Sequence, residues 1–366
     1  MRLLLLSTLA AMGITSAAHA LDTSSGQLQV ARVADGFDQP WGMAILPGPS
    51  AGMLVTERGG KLVFVRDGVR QTVSGTPKVK AKGQGGLLDV TLPRDFAQSR
   101  DVFLTYSKPQ RGGSGTALAV GKLSADGAQL TGLRDLFVSA PGGTTSRHFG
   151  SRVVEARDGT LFVTIGDRGD RPSAQDRSNH NGSIVRITRD GTVPADNPFV
   201  GSDTTQPHIW SFGHRNPQGA GLDAKGQLWT SEHGPKGGDE VNAIRKGANF
   251  GWPVINYGVH YSGKKIGEGT TKDGMQQPAH YWDPSIAPSG LLIYTGTMFP
   301  EWKGDMFVGS LKFDHISRLD LSGRHASEVE ILKSKDTNRV RDIQQGADGS
   351  IYFISAADGA IYRISR

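Results

Sequence analysis

The sequence contains no cysteine, so disulfides are excluded and stability must come from a large core, bound ligands or metal ions. Beyond its first twenty residues it also lacks long hydrophobic runs, which argues against a membrane-spanning helix. Lysine and arginine give a formal net charge of +6 but form no run, whereas nucleic-acid-binding proteins normally cluster these residues. We therefore expect no nucleic-acid partner and no insertion into a membrane.

The first twenty residues have the features of a secretory signal peptide. Arg2 precedes an apolar stretch that begins at Leu3, and Ala18-His19-Ala20 matches a small-residue cleavage site. We expect cleavage after Ala20, a mature chain of residues 21–366 that forms one domain, and a periplasmic or secreted location.

Fifty glycines punctuate the chain without any collagen-like period, which is typical of turns. A turn of Asp-Gly or Gly-Gly type followed by four or five β-formers recurs along the sequence, as in "GMLVTERGGKLVFVRDG", "RDGTLFVTIGD" and "ADGSIYFISAADGAIYRISR". Six such units, each of roughly 58 residues with its loops, predict an all-β, six-bladed β-propeller of four-stranded antiparallel blades. A pair of β-sandwiches is the alternative, which the regular period disfavours. Residues 28–33 are expected to complete the last blade and close the ring.

Polar insertions separate the repeats, and a propeller would bring them largely to one face. They occupy residues 82–89, 144–152, 166–182, 211–218, 231–252 and 284–290. The insertion "SEHGPKGGDE" could turn backbone carbonyls toward a calcium ion, or could be a tight hairpin loop with solvated acids. The insertion "SFGHRNPQG" places Arg215 beside Asn216, which suits a bound carboxylate or quinone oxygen but also a simple turn.

Basic residues recur in two further motifs. In "NRVRDI", Arg339 and Arg341 alternate, so an extended segment would point both toward a polyanion, unless they form ordinary salt bridges to blade carboxylates. In "SRHFGSR", His148 lies among arginines just before a strand. Residues 165–187 are dense in Asp, Arg and Asn but lack an EF-hand pattern, so we expect no calcium site there. Loop packing is the simplest interpretation of this segment.

Eight motifs together carry a resemblance to a known family. "GQGGLLDV", "SRHFGSR", "IGDRGDR", "IWSFGHRNPQG", "SEHGPKGGDEVN", "ANFGWP", "GSLKF" and "RVRDI" occur in the order found in soluble periplasmic sugar dehydrogenases that depend on pyrroloquinoline quinone (PQQ). Over roughly residues 28 to 366 the chain most resembles their aldose sugar dehydrogenase branch, whose fold is also a six-bladed propeller.

The resemblance implies oxidation of aldose sugars at C1 to lactones, with hydride transfer to PQQ and electrons passed to an external acceptor that the sequence does not identify. Catalytic roles would fall on His148, as the base, and on Arg215, which would stabilise the developing oxyanion. The cofactor would be held by Gln84, Arg215, Asn216, Lys312, Arg339 and Arg341. Calcium would be held by the carbonyls of Gly234 and Pro235, and a second calcium by Glu240 with the carbonyl of Phe250.

Positive charge near His148 is expected to keep its imidazole neutral, as a general base requires. Arg147 or Arg215, together with calcium, would disfavour the protonated ring. Residues 257–290 are expected to form part of the sugar-binding rim, and the branch suggests a monomer. Two alternatives stay open: a calcium-dependent propeller lactonase, and a non-catalytic propeller that binds glycans or proteins.

Overall fold

The computed structural model describes residues 18–48 and 52–366, and residues 1–17 of the expected signal peptide lie outside them. Helix is scarce in these ranges: α1 (Phe96–Ser99) is a single turn, and Arg171–Gln175 and Pro300–Trp302 form short 3₁₀ helices. No helix among the described residues is both long and apolar enough to cross a bilayer.

The strands divide into six sheets. Two strands precede the first complete sheet, β1 (His19–Thr23) and β2 (Gly26–Ala34). Blade 1 contains β3 (Pro40–Ile45), β4 (Met53–Glu57), β5 (Leu62–Arg66) and β6 (Val69–Val73). Blade 2 contains β7 (Leu87–Thr91), β8 (Asp101–Gln110), β9 (Gly113–Leu123) and β10 (Leu130–Val138). Blade 3 contains β11 (Val153–Glu155), β12 (Leu161–Thr164), β13 (Ser183–Ile187) and β14 (Ile209–Phe212).

The second half of the chain repeats the pattern. Blade 4 contains β15 (Pro217–Leu222), β16 (Leu228–Glu232), β17 (Asp239–Ala243) and β18 (His280–Trp282). Blade 5 contains β19 (Pro288–Ile293), β20 (Met306–Ser310), β21 (Ile316–Ser322) and β22 (His325–Leu332). Blade 6 begins with β23 (Val340–Gln345), β24 (Ile351–Ser355) and β25 (Ala360–Ser365).

The N-terminal strands complete blade 6, as the sequence predicted. Strand β2 pairs antiparallel with β25, with Val30 opposite Ile364, and so joins the two ends of the chain. Strand β1 then pairs with β2 and gives this blade a fifth strand, where four were expected. The predicted six-bladed propeller is confirmed.

Six apolar clusters lie between successive blades and form the core. Side chains alternate along each strand, so one strand supplies both neighbouring clusters. In β8, Val102 and Leu104 pack toward blade 1, whereas Phe103 packs toward blade 3. The cluster between blades 5 and 6 also contains Leu28 and Val30 of β2, which explains why the ring closes through the N-terminal segment.

Buried hydroxyls tie neighbouring blades together near the central axis. The hydroxyl of Thr105 in blade 2 donates to the carbonyl of Ser151 at 2.6 Å, and that of Thr164 in blade 3 donates to Pro217 at 3.1 Å. Ser231 in blade 4 donates to Ser289 at 3.0 Å. These bonds join blade 2 to blade 3, blade 3 to blade 4 and blade 4 to blade 5. The innermost strands surround a central channel and are β3, β7, β11, β15, β19 and β23.

Candidate active site

A cavity of about 900 Å³ opens where the six innermost strands begin. Each blade contributes to its wall, through residues that include Trp41, Leu88, Gly150, Gln218, Ala287 and Arg341. The prediction that most inter-repeat insertions reach one face is confirmed, although residues 166–182 contribute none of the wall. Tyr257, Tyr261 and Asp283 also line the cavity, so the segment 257–290 contributes to its wall.

The cavity wall is basic. Arg58, Lys236, Lys312, Arg339 and Arg341 face two acidic residues, Asp283 and Asp314. Burial, followed by the charges of Arg152, Arg339 and Arg58, lowers the pKa of Arg341 to about 9. Guanidinium groups gathered at this density favour an anionic ligand that compensates their charge.

Seven of the predicted site residues lie in this wall: Gln84, Asn216, Gly234, Pro235, Lys312, Arg339 and Arg341. We predicted that Arg339 and Arg341 point the same way because they alternate along an extended segment, and that reason was wrong. Arg339 precedes β23 with φ +45°, in the left-handed region and not in an extended segment. Its Nη1 donates to the carbonyl of Leu311 at 2.9 Å, and this contact directs it along the wall.

His148 directly precedes Phe149 and Gly150 of the cavity wall, although it is not itself among the lining residues. It forms a pair with Asp167 that sequence reasoning missed. The imidazole Nδ1 lies 2.6 Å from Asp167 Oδ1, and the Asp167 carboxylate is fully buried. Gly169 N and Trp252 Nε1 donate to the same carboxylate at 2.7 and 2.8 Å. An ionised Asp167 that already accepts two other bonds requires the proton on Nδ1 of His148, which leaves Nε2 as the basic nitrogen.

The interpretation of residues 165–187 as loop packing is therefore wrong at Asp167. The sequence did contain a sign of this role. Asp167 closely follows the apolar strand Leu161–Thr164, and an acid is seldom buried there without a partner.

Burial is the main reason that the pKa of His148 lies below its ordinary value. The hydrogen bond from Asp167 opposes this shift, and the charges of Arg215 and Arg147 add to it. The predicted influence of the arginines is present, but it ranks below burial. The ring is thus neutral near pH 7 and suited to accept a proton.

Local backbone geometry fixes the direction of His148. The residue has φ +55°, a left-handed conformation that a non-glycine residue adopts only when its surroundings enforce it. Its amide donates to Gln84 Oε1 at 2.6 Å. Gly150 follows with φ +62°, and a Cβ there would lie 2.7 Å from the carbonyl of Thr164, so a larger residue does not fit.

Arg215 and Asn216 are held by Glu232, another residue that the sequence did not single out. The backbone amides of Arg215 and Asn216 donate to Glu232 Oε2 at 2.8 and 3.4 Å. Arg215 Nη1 donates to the carbonyl of His233 at 2.9 Å, and its guanidinium lies 5.4 Å from the centre of the Trp252 ring. The guanidinium of Arg215 is thus fixed beside His148, and it forms no ion pair with any residue that the structure describes.

The loop of Gly234 and Pro235 offers oxygen ligands to a cation. Asp239 Oδ1 accepts the amide of Gly234 at 2.8 Å, which sets the loop. Among residues 18–48 and 52–366, no hydrogen bond ends on the carbonyl oxygen of Gly234 or Pro235, although both residues are buried at the cavity. Unpartnered carbonyls at a buried turn fit the oxygen preference of Ca²⁺.

A small neighbouring cavity of about 10 Å³ brings together Glu240, Phe250 and Arg215. Burial, followed by the charge of Glu232, raises the pKa of Glu240 to about 8. Asn242 Nδ2 bridges the two carboxylates at 2.9 and 3.0 Å. The described residues contain no group of three or more His, Asp or Glu side chains able to hold a metal, so a cation here would also need carbonyl ligands.

The model of the glucose/sorbosone dehydrogenase family matches residues 37–363 of the chain. The chain belongs to the glucose/sorbosone dehydrogenase family. Among its relatives, the aldose sugar dehydrogenase YliI of Escherichia coli K12 is 40% identical over 353 residues, which cover 94% of this chain and 95% of that protein.

Solved structures agree with this membership. The soluble aldose sugar dehydrogenase from Escherichia coli, in its apo form, superimposes with a TM-score of 0.89 at 40% identity, covering 92% of this chain and 99% of that one. The PQQ-bound form of the aldose sugar dehydrogenase from Streptomyces coelicolor superimposes with a TM-score of 0.77 at 27% identity, covering 92% and 97%. The family membership and the propeller predicted from sequence are both confirmed.

Proposed function

We propose that this protein oxidises aldose sugars at C1 to lactones with PQQ as cofactor and Ca²⁺ as its metal. The observation that carries the proposal is the neutral, carboxylate-oriented His148, which directly precedes Phe149 and Gly150 in the wall of a basic cavity. A base needs a directed lone pair and an uncharged ring, and the Asp167 contact and burial supply both. The PQQ-bound relative from Streptomyces coelicolor supports the choice of cofactor.

The residues of the cavity fit both groups. PQQ is a planar tricarboxylate, and the basic wall provides arginine and lysine side chains to its carboxylates, with Gln84 and Asn216 as polar contacts. The unpartnered carbonyls of Gly234 and Pro235 would hold Ca²⁺. Glu240 and the carbonyl of Phe250 would hold a second calcium, where a cation relieves the repulsion between two buried carboxylates.

When bound, PQQ would supply the hydride acceptor and Ca²⁺ a Lewis acid. His148 Nε2 removes the proton from the anomeric hydroxyl, and C1 gives up its hydrogen as hydride, so the C1–O bond becomes the lactone carbonyl. Asp167 stabilises the imidazolium that forms and keeps the ring in place. Arg215 presents a fixed positive charge to developing negative charge at the reaction centre.

The remaining parts of the proposal concern the setting of the reaction. Two electrons leave each turnover through an external acceptor. We propose that the expected signal peptide directs export of the chain, so that the reaction takes place outside the cytoplasm.

Purified protein stripped of metal with a chelator tests the function. Dye reduction is measured with glucose and other aldoses after addition of PQQ, Ca²⁺, both or neither. We expect activity with both together and its loss in His148→Gln, which still binds PQQ. Absence of dye reduction across a broad aldose panel, together with absence of PQQ binding by titration, would refute the proposal. Hydrolysis of lactones by the same preparation would instead support a hydrolase.

A further inference from the structure

Gln218 lies between Arg341 and the segment that carries His148, and it contacts both. It is the second residue of β15, only 8% exposed, and its side chain reaches the cavity wall. Its backbone carbonyl accepts a hydrogen bond from Arg152 Nε at 3.2 Å, which fixes the main chain. The side-chain amide is then free to make contacts on two sides.

On one side the amide oxygen of Gln218 holds Arg341. Arg341 Nη1 donates to Gln218 Oε1 at 2.9 Å, across the gap between blades 6 and 4. Within the described part of the chain this oxygen is the sole hydrogen-bond acceptor of the Arg341 side chain, which has no carboxylate partner there. The guanidinium also lies 5.4 Å from the centre of the Trp41 ring. A neutral acceptor therefore sets the direction of Arg341 without neutralising its charge.

On the other side the amide nitrogen of Gln218 holds the segment of His148. Gln218 Nε2 donates to the carbonyl of Gly150 at 3.1 Å and to Asn216 Oδ1 at 3.3 Å. Asn216 Oδ1 in turn accepts the amide of Gly150 at 3.1 Å. The backbone amide and carbonyl of Gly150 are thus both hydrogen-bonded, two residues after His148. The backbone at Gly150 is in the left-handed region.

We propose that Gln218 is a positioning residue. It couples the orientation of the Arg341 guanidinium, which would bind a carboxylate of PQQ, to that of the segment carrying His148. The inference rests on the proposed function, because it assigns Arg341 and His148 their roles in PQQ binding and proton removal. An uncharged amide suits this task because it accepts from one partner and donates to the other. If Arg341 moves when the cofactor binds, the Gln218 side chain would transmit that movement to His148.

Two substitutions separate the two halves of the contact. Gln218→Met keeps the length of the side chain but removes all three of its hydrogen bonds. Gln218→Glu keeps the acceptor toward Arg341, loses the donor toward Gly150, and adds a negative charge that competes with an anionic ligand. Gln227→Met is the matched control: Gln227 lies at the other end of blade 4's first hairpin and donates to the carbonyls of Leu228 and Ile244 at 2.8 and 2.7 Å.

PQQ binding is measured on the cofactor-free, calcium-loaded proteins by quenching of tryptophan fluorescence. We expect the dissociation constant to rise about tenfold in Gln218→Met, since an oriented charged hydrogen bond is lost, and to rise in Gln218→Glu as well. Arg341→Met and the double variant complete a cycle, in which the two changes should not add because they remove one shared contact. Gln227→Met should bind PQQ as the unchanged protein does.

At saturating PQQ, Gln218→Met should lower kcat and leave the KM for sugar nearly unchanged. Its acidic limb of kcat should move to higher pH, because a loosened segment lets water reach an imidazole whose pKa is depressed mainly by burial. If Gln218→Met fails to fold, Gln218→Glu decides, since it retains the Arg341 contact.

The outcomes separate the inference from the function. If the unchanged protein binds PQQ and oxidises aldoses while both Gln218 variants match Gln227→Met, the coupling role is overturned and the function stands. Additive effects in the Arg341 cycle would overturn it too. If the unchanged protein neither binds PQQ nor oxidises any aldose, the function falls and the inference falls with it.

Discussion

Replacing Asp167 with asparagine tests the proposed origin of the base most directly. Asp167 accepts three hydrogen bonds, from His148 Nδ1 at 2.6 Å, Gly169 N at 2.7 Å and Trp252 Nε1 at 2.8 Å. Asparagine has one acceptor oxygen and one donor group, so at least one of these donors must then face an N–H. His148 Nδ1 and Gly169 N share Oδ1, whereas Trp252 Nε1 binds Oδ2. If the oxygen stays with Trp252, the amide faces His148 Nδ1, donates to it and moves the imidazole proton to Nε2.

That tautomer has no basic lone pair toward the cavity. We expect kcat to fall by about 10²- to 10⁴-fold, the range in which a positioned base and its orienting acid contribute. Stability should fall by about 1–3 kcal/mol, because a buried donor loses its acceptor. Since Asp167 raises the pKa of His148 against the effect of burial, its loss lowers that pKa further. The acidic limb of the residual activity should therefore move to lower pH.

The assay is dye reduction at saturating PQQ, Ca²⁺ and aldose across the pH range, with unfolding by denaturant measured in parallel. Asp170→Asn is the control, because Asp170 is an exposed acid in the same motif and makes no contact with His148. PQQ affinity should change little in either variant. A kcat within threefold of the unchanged protein in Asp167→Asn would refute the assignment of Asp167 as the group that orients the base.

Three further predictions concern Arg341, the metal and the fold. Arg341→Met should raise the dissociation constant for PQQ at least about tenfold by fluorescence titration, whereas the exposed Arg134→Met should not. Glu240→Gln should lower bound calcium by one ion per chain in elemental analysis and lower Tm, with Glu268→Gln as the exposed control, and an unchanged stoichiometry would contradict the second site. Thr164→Val breaks buried bonds to Arg152 N and Pro217 O and should cost about 1–3 kcal/mol in denaturant unfolding, against a smaller change in Thr131→Val.

The sequence identified more of the cofactor pocket than of the base. Gln84 and Asn216 belong to loop motifs marked by glycine or proline, and Arg339 and Arg341 to a motif of alternating arginines, and such motifs stand out between regular hairpins. Asp167, Glu232 and Gln218 also lie in such motifs, but their roles were missed because each acts through a partner 17 to 123 residues away in the chain. Contacts of that range follow from how blades are placed around the axis, and no local pattern records them.

By itself the sequence determined the architecture, since Asp-Gly and Gly-Gly turns at a regular interval specify hairpins, and the repeat of those hairpins specifies blades. It also determined that the N-terminal strand closes the ring, since residues 28–33 have the alternation of a strand and the last blade lacks one. Only the tertiary structure decided how His148 is kept neutral. Burial lowers the pKa of His148 more than the neighbouring arginines do, and desolvation depends on the whole surrounding fold and not on neighbours in the chain.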